Sequence, residues 1–526
     1  MRTCFLNIAA ASITLIPVLC AQGQGRRPGG QPPPATGSQP DSGAKPAAGS
    51  EQFPAPPAVE TTSKTKHEIT VNGKKIPYTA TAGTLVLKKD DGKPWANIFY
   101  VAYTRDDVTD ATKRPLTFTF NGGPGSSSVW LHMGALGPKR VAMGPDGEQP
   151  APPYHLVDNE DTALLFTDLV FIDPVTTGFS REAPGENPAQ FHSFDGDLES
   201  VGEFIRLWTT RSQRWDSPKF LAGESYGTTR ASALSQYLLQ HHGIYLNGIT
   251  LISSVLNFET ILFAPGNDLP YILYLPSYTA TAWYHKKLPK DLGDLEKALG
   301  ESRSFAANEY TVALMKGDKL TASERTNVGR QLARLTGLSE EFVEEANLRI
   351  SISRFTKELL RKERRTVGRY DSRLEGVDFD AAGENPDYDP SYASVQGAYT
   401  AAFNEYLSVE LKYESDLPYE ILTGKVRPWS YKRFENQYVN TAEMMREAMS
   451  QEPHLKVMIA NGYYDLATPF FATEYTVNHL GLDPSLSGHI SLTYCGAGHM
   501  LYTKKSCLDG LSKSMTDFYQ QAAGTN

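Results

Sequence analysis

Cysteine is scarce in this chain, with four residues in 526, so the chain can form few disulfides. An extended basic block is absent as well. The net charge is −9, which gives no support for a nucleic-acid partner. Beyond the N-terminus no apolar segment is long enough to cross a bilayer, so we expect no membrane span. What remains is a globular composition with 40% hydrophobic residues, long enough for one large domain with insertions or for two to three ordinary domains.

The N-terminal sequence is typical of an export signal. "MRTCFLNIAAASITLIPVLCAQG" has an arginine at position 2, then an apolar run, then small residues. This pattern predicts a signal peptide over residues 1–21 with cleavage near Ala21, and hence a periplasmic or secreted protein. A lipid anchor on Cys20 is the less favoured alternative, because Leu19 is bulky where such signals need a small residue.

Residues 22–60 are rich in proline and glycine and nearly lack residues that could form a core. We expect a disordered tether there and a folded body over residues 61–526. Near the other end, Cys495 and Cys507 are close in sequence. An oxidising compartment permits a bridge between them, and two unpaired thiols are the alternative.

The body begins with antiparallel hairpins and continues as an α/β sheet. From about residue 61, apolar and polar residues alternate around "NG" and "DG" turns, which indicates hairpins. Short apolar runs such as "PLTFTF", "DLVFI" and "LKVMIA" then alternate with helical segments, which predicts a mainly parallel sheet flanked by helices. Residues 257–438 have a different residue pattern, with a long helical stretch after Ser339. We expect this region to be a helical cap inserted into the sheet domain.

The segment "GESYG" at 223–227 predicts a catalytic serine. The flanking glycines permit a sharp turn from strand to helix that exposes the hydroxyl of Ser225 above the sheet. The pattern by itself is common, but here a strand-like "KFLA" precedes it and a helical "TTRASALSQYLLQ" follows it. An ordinary serine in a tight turn is the alternative.

A nucleophilic serine needs a base and a carboxylate that orients the base. In a strand–turn–helix arrangement these follow in the order Ser, Asp, His. Asp465 stands after the strand "LKVMIA", and His499 stands in the glycine-flanked "CGAGHM". Each residue alone could be structural. Together with Ser225 they predict a catalytic triad.

The glycine-rich "NGGPGSSS" at 121–128 follows the strand "PLTFTF". Acyl transfer requires backbone N–H groups that stabilise the oxyanion of the intermediate. One comes from the residue after the nucleophile, here Tyr226, and we assign the other to Gly123. A plain turn is the alternative, but it does not explain an asparagine and three serines after a buried strand.

These segments, together with "NGYYDLATP", "GAGHM" and "DPVTTGFS", resemble the serine carboxypeptidase family of α/β-hydrolases. The resemblance covers about residues 116–500, and the cap only loosely. It implies the α/β-hydrolase fold, with the hairpins at the N-terminal side and the cap as an insertion. It also implies that Asn121, Gly122 and Glu224 bind the free C-terminal carboxylate of a peptide. The sequence calls for neither a metal ion nor a cofactor, and it leaves the oligomeric state open.

The chain departs from the family pattern at four positions. Thr119 replaces a tryptophan, Ser126 replaces a disulfide-forming cysteine, Ala135 replaces a second glutamate, and Tyr502 replaces a proline. Without a second carboxyl beside it, we expect Glu224 to ionise readily at neutral pH and to repel a substrate carboxylate. We therefore expect a basic residue of the cap, an arginine, to assist, with a relaxed demand for a free C-terminus as the alternative.

The sequence predicts an exported serine carboxypeptidase that forms an acyl-enzyme on Ser225 and acts on peptides with a free C-terminus. An esterase or acyltransferase of the same fold is the second hypothesis. A secreted binding protein with a decayed site is the third, and the intact Ser225, Asp465 and His499 disfavour it.

Overall fold

The computed structural model describes residues 57–524. The predicted signal peptide (1–21) and the predicted tether up to residue 56 lie outside the described residues. The last tether residues contact the body, since the carboxylate of Glu60 accepts hydrogen bonds from Arg211 (2.7 Å) and from the backbone N–H of Val86 (3.0 Å). No helix of residues 57–524 combines the length and apolar character that crossing a membrane requires.

Fourteen strands occur in the described part of the chain: β1 (Thr62–Val71), β2 (Lys74–Lys88), β3 (Pro94–Arg105), β4 (Leu116–Phe120), β5 (Lys139–Val141), β6 (Leu156–Asp158), β7 (Asp168–Ile172), β8 (Arg181–Glu182), β9 (Lys219–Ser225), β10 (Gly248–Ser254), β11 (Thr366–Val367), β12 (Glu375–Gly376), β13 (Lys456–Gly462) and β14 (Ile490–Cys495).

One large sheet organises the molecule, in the order β1-β2-β3-β7-β4-β9-β10-β13-β14, with β8 paired to β3. Six neighbouring strands run parallel to one another: β7, β4, β9, β10, β13 and β14. The strands β1, β2 and β3 form antiparallel hairpins, as predicted. Asn72 (φ 50°) and Gly73 (φ 75°) make the tight turn between β1 and β2. This matches the "NG" signal, because that turn needs positive φ at both positions.

Thirteen α-helices accompany the strands: α1 (Val129–Leu131), α2 (Phe194–Arg211), α3 (Tyr226–His242), α4 (Leu269–Tyr284), α5 (Leu295–Phe305), α6 (Thr311–Lys316), α7 (Ala322–Thr336), α8 (Glu340–Glu345), α9 (Ile352–Glu358), α10 (Pro390–Glu405), α11 (Ala442–Gln451), α12 (Phe470–Asn478) and α13 (Lys505–Ala523). Short 3₁₀ and π turns link several of them.

Both faces of the sheet are covered by helices. Successive residues of β9 point to opposite faces, so Phe220 packs in a core with residues of α10 and α13, and Leu221 packs in a second core with residues of α2, α3 and α11. Parallel strands buried on both faces read as continuous apolar runs, which is why β4, β7 and β10 are buried throughout. The chain thus has the α/β-hydrolase fold.

Between β10 and β13 the chain is mainly helical and has an apolar core of its own, built from residues of α4 to α9. The long helix expected after Ser339 is divided. The Ser339 hydroxyl caps α8 by accepting from the Phe342 N–H (3.1 Å), but Asn347 and Leu348 then adopt positive φ and separate α8 from α9. The return segment of this region pairs with the loops after β4 and β7, through the bridges Ser126–Leu422 and Gly178–Glu420.

A buried ion pair links α3 to α2 and to the end of β4. Arg230 of α3 donates to the Asp197 carboxylate of α2 (2.7 Å) and to the Asn121 carbonyl (2.6 Å), and both side chains of the pair are almost fully buried. Burial raises the pKa of Asp197, although the Arg230 charge opposes that shift. The guanidinium also packs over the rings of Phe120 and Tyr226. Arg230 therefore holds the loop after β4 against the start of α3.

Arg230→Met is expected to lower the free energy of unfolding by about 3–5 kcal/mol, because it leaves the Asp197 carboxylate buried without its partner. The matched control is Arg446→Met, which breaks the exposed Arg446–Glu443 pair (2.8 Å). We expect that control to cost only about 0.3–0.5 kcal/mol. Urea unfolding followed by fluorescence measures both variants. Equal losses would contradict a special role for the buried pair.

Candidate active site

The strand–helix junction at Ser225 has the geometry that the sequence predicts. β9 ends at Ser225, α3 begins at Tyr226, and Ser225 itself adopts φ 60° and ψ −130°, a conformation rare for any residue with a side chain. The flanking glycines are required by close approach. A Cβ at Gly223 would lie 2.2 Å from the Gly227 carbonyl oxygen, and one at Gly227 would lie 2.7 Å from that of Phe120. The turn therefore presents a half-buried serine at the carboxyl edge of the sheet.

The glycine-rich loop after β4 packs directly on this turn. A Cβ at Gly122 would lie 2.4 Å from the Tyr226 nitrogen, so the two backbones are in contact. Within the described part of the chain, the Gly123 amide donates no hydrogen bond to the protein. Tyr226 is the first residue of α3, and the first N–H groups of a helix have no partner inside it. The glycine-rich loop thus lies against the start of α3, next to Ser225, and the oxyanion role of Gly123 and Tyr226 stays a prediction.

Asp465 and His499 form a buried pair. His499 Nδ1 lies 2.8 Å from Asp465 Oδ2, and the two residues are 3% and 0% exposed. Facing a carboxylate, Nδ1 carries the proton, which leaves Nε2 free to act as a base. The carboxylate also accepts the backbone N–H groups of Ala467 (2.7 Å) and Thr468 (2.9 Å) and the Thr468 hydroxyl (2.7 Å). Four hydrogen bonds therefore fix the orientation of Asp465.

The pKa of His499 is raised. Burial disfavours the imidazolium, but the charge of Asp465 and the hydrogen bond to it outweigh burial. Two residues of the loop between β11 and β12 lie beside the His499 ring. The Tyr370 ring stacks on the His499 ring, with the ring centroids 5.1 Å apart. The Tyr370 backbone carbonyl also accepts a hydrogen bond from the His499 backbone N–H (2.5 Å). The guanidinium carbon of Arg369 lies 4.6 Å from the centroid of the Tyr370 ring. The charge of Arg369 acts to lower the pKa of His499.

Ser225 ends β9, and the neighbouring strand β10 contacts both this serine and the loop that carries His499. Ser254 of β10 pairs with Ser225 of β9, and the Ser253 hydroxyl donates to the His499 carbonyl (2.5 Å). In the described part of the chain, no hydrogen bond joins the Ser225 hydroxyl to His499. Catalytic hydrogen bonds are often long before substrate binds, so this arrangement is compatible with a triad. The triad assignment itself stays a prediction.

Glu224 forms a polar corner next to Ser225. It is 3% exposed, and its Oε2 accepts a hydrogen bond from the Tyr502 hydroxyl (2.5 Å). The Asn121 amide nitrogen is buried and has no hydrogen-bond partner within 3.5 Å among the described residues, while Asn121 Oδ1 accepts the Leu131 N–H (3.0 Å). Burial raises the pKa of Glu224 to about 7, against smaller lowering effects of His499, Tyr502 and Asn121.

This result corrects the expectation that Glu224 ionises readily. Ala135 does remove one carboxyl, but burial is a larger cause of the raised pKa than any neighbouring charge. The side chains of Tyr502 and Tyr399 pack against Gly134, one residue before Ala135. A Cβ at Gly134 would lie 2.3 Å from Tyr502 Cε2 and 2.6 Å from the Tyr399 hydroxyl. At neutral pH a large share of Glu224 is therefore protonated.

Ser126 and the Cys495–Cys507 disulfide both fix loops at the site. Ser126, in place of a cysteine, donates to the Ile421 carbonyl (3.2 Å) and accepts from Trp130 Nε1 (2.9 Å), so hydrogen bonds attach the cap segment to the glycine-rich loop. Cys495 and Cys507 are disulfide-bonded, with Cα atoms 5.8 Å apart. The bridge closes the loop that carries His499 and Tyr502.

Several neighbours of the site were not identified from the sequence: Arg230, Arg369, Tyr370 and Thr468. Thr468 had a local signal, since it lies three residues after Asp465. Tyr502 was noted only as a departure from the family pattern. Arg369 is an arginine of the predicted cap that packs on Tyr370, and the expected role of a cap arginine in binding a carboxylate stays a prediction.

Comparisons with known proteins identify relatives of this chain. A family model described as serine carboxypeptidase matches residues 74–489, a range that includes Ser225 and Asp465 and ends before His499. Pheromone-processing carboxypeptidase KEX1 of Saccharomyces cerevisiae is 36% identical over 175 residues, which cover 31% of this chain and 22% of the yeast protein. Serine carboxypeptidase-like 16 of Arabidopsis thaliana is 28% identical over 211 residues, which cover 37% of this chain and 45% of the plant protein.

The alignments therefore span less than half the length of these two relatives. Among solved structures, the crystal structure of KEX1(delta)p, a prohormone-processing carboxypeptidase from Saccharomyces cerevisiae, aligns with a TM-score of 0.49 and 17% identity, covering 84% of this chain and 91% of that chain. The family model matches well over half of the chain, and on that ground the chain belongs to the serine carboxypeptidase family.

Proposed function

We propose that this protein is a serine carboxypeptidase that removes the C-terminal residue of a peptide through an acyl-enzyme on Ser225. The observation that carries the proposal is the buried corner of Asn121 and Glu224 immediately beside Ser225. It holds a buried amide nitrogen with no hydrogen-bond partner within 3.5 Å among residues 57–524, and a carboxyl with a pKa of about 7. Both groups can donate a hydrogen bond to a carboxylate when Glu224 is protonated.

The proposed reaction proceeds through an acyl-enzyme. Ser225 Oγ attacks the carbonyl carbon of the last peptide bond while His499 Nε2 takes the hydroxyl proton. The Gly123 and Tyr226 N–H groups stabilise the resulting oxyanion. When the C–N bond breaks, His499 returns the proton to the leaving amine. Water then attacks the ester under the same base and releases the shortened peptide and free Ser225. Asp465 holds the imidazole in the required tautomer throughout.

The substrate's C-terminal carboxylate binds in the corner next to this reaction centre. Asn121, the Gly122 amide and protonated Glu224 supply the hydrogen bonds. An ionised Glu224 would repel the carboxylate, so binding of a free acid requires the neutral form. An esterase or acyltransferase is the second candidate, and the observation that favours it is Ala135, because the corner has lost one carboxyl relative to the family pattern.

Covalent catalysis is tested with a fluorophosphonate probe. The probe is expected to label the wild-type protein and to miss Ser225→Ala. Asp465→Asn is expected to lower turnover by about 10⁴-fold or more, because the members of a triad act as a unit. The matched control is Ser408→Ala at an exposed serine, which should label like the wild type. Equal labelling of Ser225→Ala and the wild type would exclude Ser225 as the nucleophile.

The requirement for a free C-terminus predicts a specific pH dependence. We expect the ratio of kcat/KM on a blocked dipeptide with a free carboxylate to that on its C-terminal amide to be high below pH 7. It should fall above pH 7, by up to about tenfold per pH unit, because Glu224 loses its proton. The rate on both substrates should fall in acid as His499 becomes charged, and this effect cancels in the ratio. A ratio near one at every pH would favour the broader hydrolase function.

We also propose that the protein is exported to the periplasm or the medium, on the basis of residues 1–21 and with support from the Cys495–Cys507 bridge, which an oxidising compartment sustains. The mature N-terminus is expected near Gln22 on protein recovered from outside the cytoplasm. N-terminal sequencing of the native protein measures this directly. Intact Met1 would refute export, and a lipid on Cys20 would instead support an anchored form.

A further inference from the structure

We propose that Tyr502 is a positioning residue for substrate recognition: its hydroxyl occupies one oxygen of Glu224, so that the Glu224 proton resides on the other oxygen and is donated to the substrate's terminal carboxylate. The inference deepens the proposed carboxypeptidase function and rests on it. It assigns a role in specificity to a residue outside the triad, the oxyanion donors and the Asn121–Gly122 pair.

A hydrogen bond joins the side chains of Tyr502 and Glu224. The Tyr502 hydroxyl lies 2.5 Å from Glu224 Oε2, and both residues are almost fully buried. The Tyr502 hydroxyl has a single proton, which it donates to the Glu224 carboxyl. Oε2 is therefore an acceptor in either protonation state of Glu224. When Glu224 is neutral, its own proton is on Oε1, which leaves that oxygen as the donor for a ligand.

The tyrosine hydroxyl keeps its proton under all conditions in which the enzyme could act. Burial raises the pKa of Tyr502 well above its ordinary value, and the charge of Glu224 adds to that shift. A second carboxyl at this place would instead share or exchange protons with Glu224. With Tyr502, only Glu224 of this hydrogen-bonded pair titrates near neutral pH.

The ionisable groups around Glu224 come from every side of the corner. His499 and Tyr502 belong to the loop after β14, Asp465 to the loop after β13, Tyr370 to the segment before α10, and Tyr399 to α10. His499 favours the ionised carboxylate and Asp465 disfavours it, while Tyr370 and Tyr399 experience its charge. The Tyr502 hydrogen bond also favours ionisation, so removing it must shift the titration of Glu224 to higher pH.

Packing permits a clean removal of the hydroxyl. The ring of Tyr502 occupies the space over Gly134, next to the Tyr399 hydroxyl, so phenylalanine fills the same volume. Tyr399→Phe is the matched control. It removes a buried phenol from the same wall, but Tyr399 makes no hydrogen bond to Glu224 among the described residues.

The experiment measures kcat/KM from pH 5 to 9 on a blocked dipeptide free acid and on its methyl ester, and takes the ratio of the two values. In the wild type this ratio should fall through a midpoint near pH 7. In Tyr502→Phe the midpoint is expected to move to higher pH. The ratio at pH 6 should also fall, by up to about tenfold, because the Glu224 carboxyl loses the hydrogen bond that fixes its orientation. Tyr399→Phe should keep the wild-type midpoint.

A midpoint that does not move in Tyr502→Phe would overturn the inference, as would equal shifts in both variants. If Tyr502→Phe fails to fold, judged by fluorophosphonate labelling, Tyr502→Leu removes the same donor and should show the same upward shift. Failure of the proposed function is distinguishable. In that case the wild-type enzyme itself shows no preference for the free acid at any pH.

Discussion

The close contact between two backbone turns, one after β4 and one after β9, is the constraint on which the site depends. The glycine-rich loop lies so close to the Ser225 turn that a single Cβ at Gly122 would collide with the Tyr226 nitrogen. This contact brings the backbone of the glycine-rich loop against the first residue of α3, immediately after the serine. Arg230 holds it by bonding the Asn121 carbonyl and packing over the Tyr226 ring. The strained backbone of Ser225 persists because the surrounding structure over-determines it.

Burial controls the electrostatics of the site, and it acts differently on each group. It raises the pKa of Glu224, and its opposing effect on His499 is outweighed by Asp465. Two buried acids within one small region thus have different surroundings. Asp465 accepts four hydrogen bonds, one of them from His499, whereas Glu224 accepts one hydrogen bond from a phenol, and burial raises its pKa to about 7.

Much of the fold was predictable because the signals were local. The "NG" turn, the continuous apolar strands and the Gly-x-Ser-x-Gly pattern each reflect a steric requirement within a few residues, and the hairpins, the parallel sheet and the Ser225 turn follow them. The helix after Ser339 was predicted as longer than it is. Asn347 and Leu348 interrupt it with positive φ, and the apolar periodicity of the segment does not report on backbone conformation at single positions.

The contacts of the cap with the site could not be predicted from the sequence. Its helical character is visible in the sequence, but its contacts with the site are not. Tyr370 stacks on His499 and Ser126 bonds the Ile421 carbonyl across nearly 300 positions of chain, and no sequence spacing encodes such pairs. The disulfide between Cys495 and Cys507 lay within reach of sequence reasoning because the two residues are near neighbours in the chain.

The sequence by itself determined the fold class, the order Ser225–Asp465–His499 and the glycine loop, because each depends on residue types at short range or on a fixed chain order. Only the tertiary structure decided what surrounds Glu224. Ala135 suggested an acid that ionises readily, yet burial raises its pKa and Tyr502 supplies its hydrogen bond. The protonation of a carboxyl depends on desolvation and on partners that folding brings together, here from residues 278 positions apart.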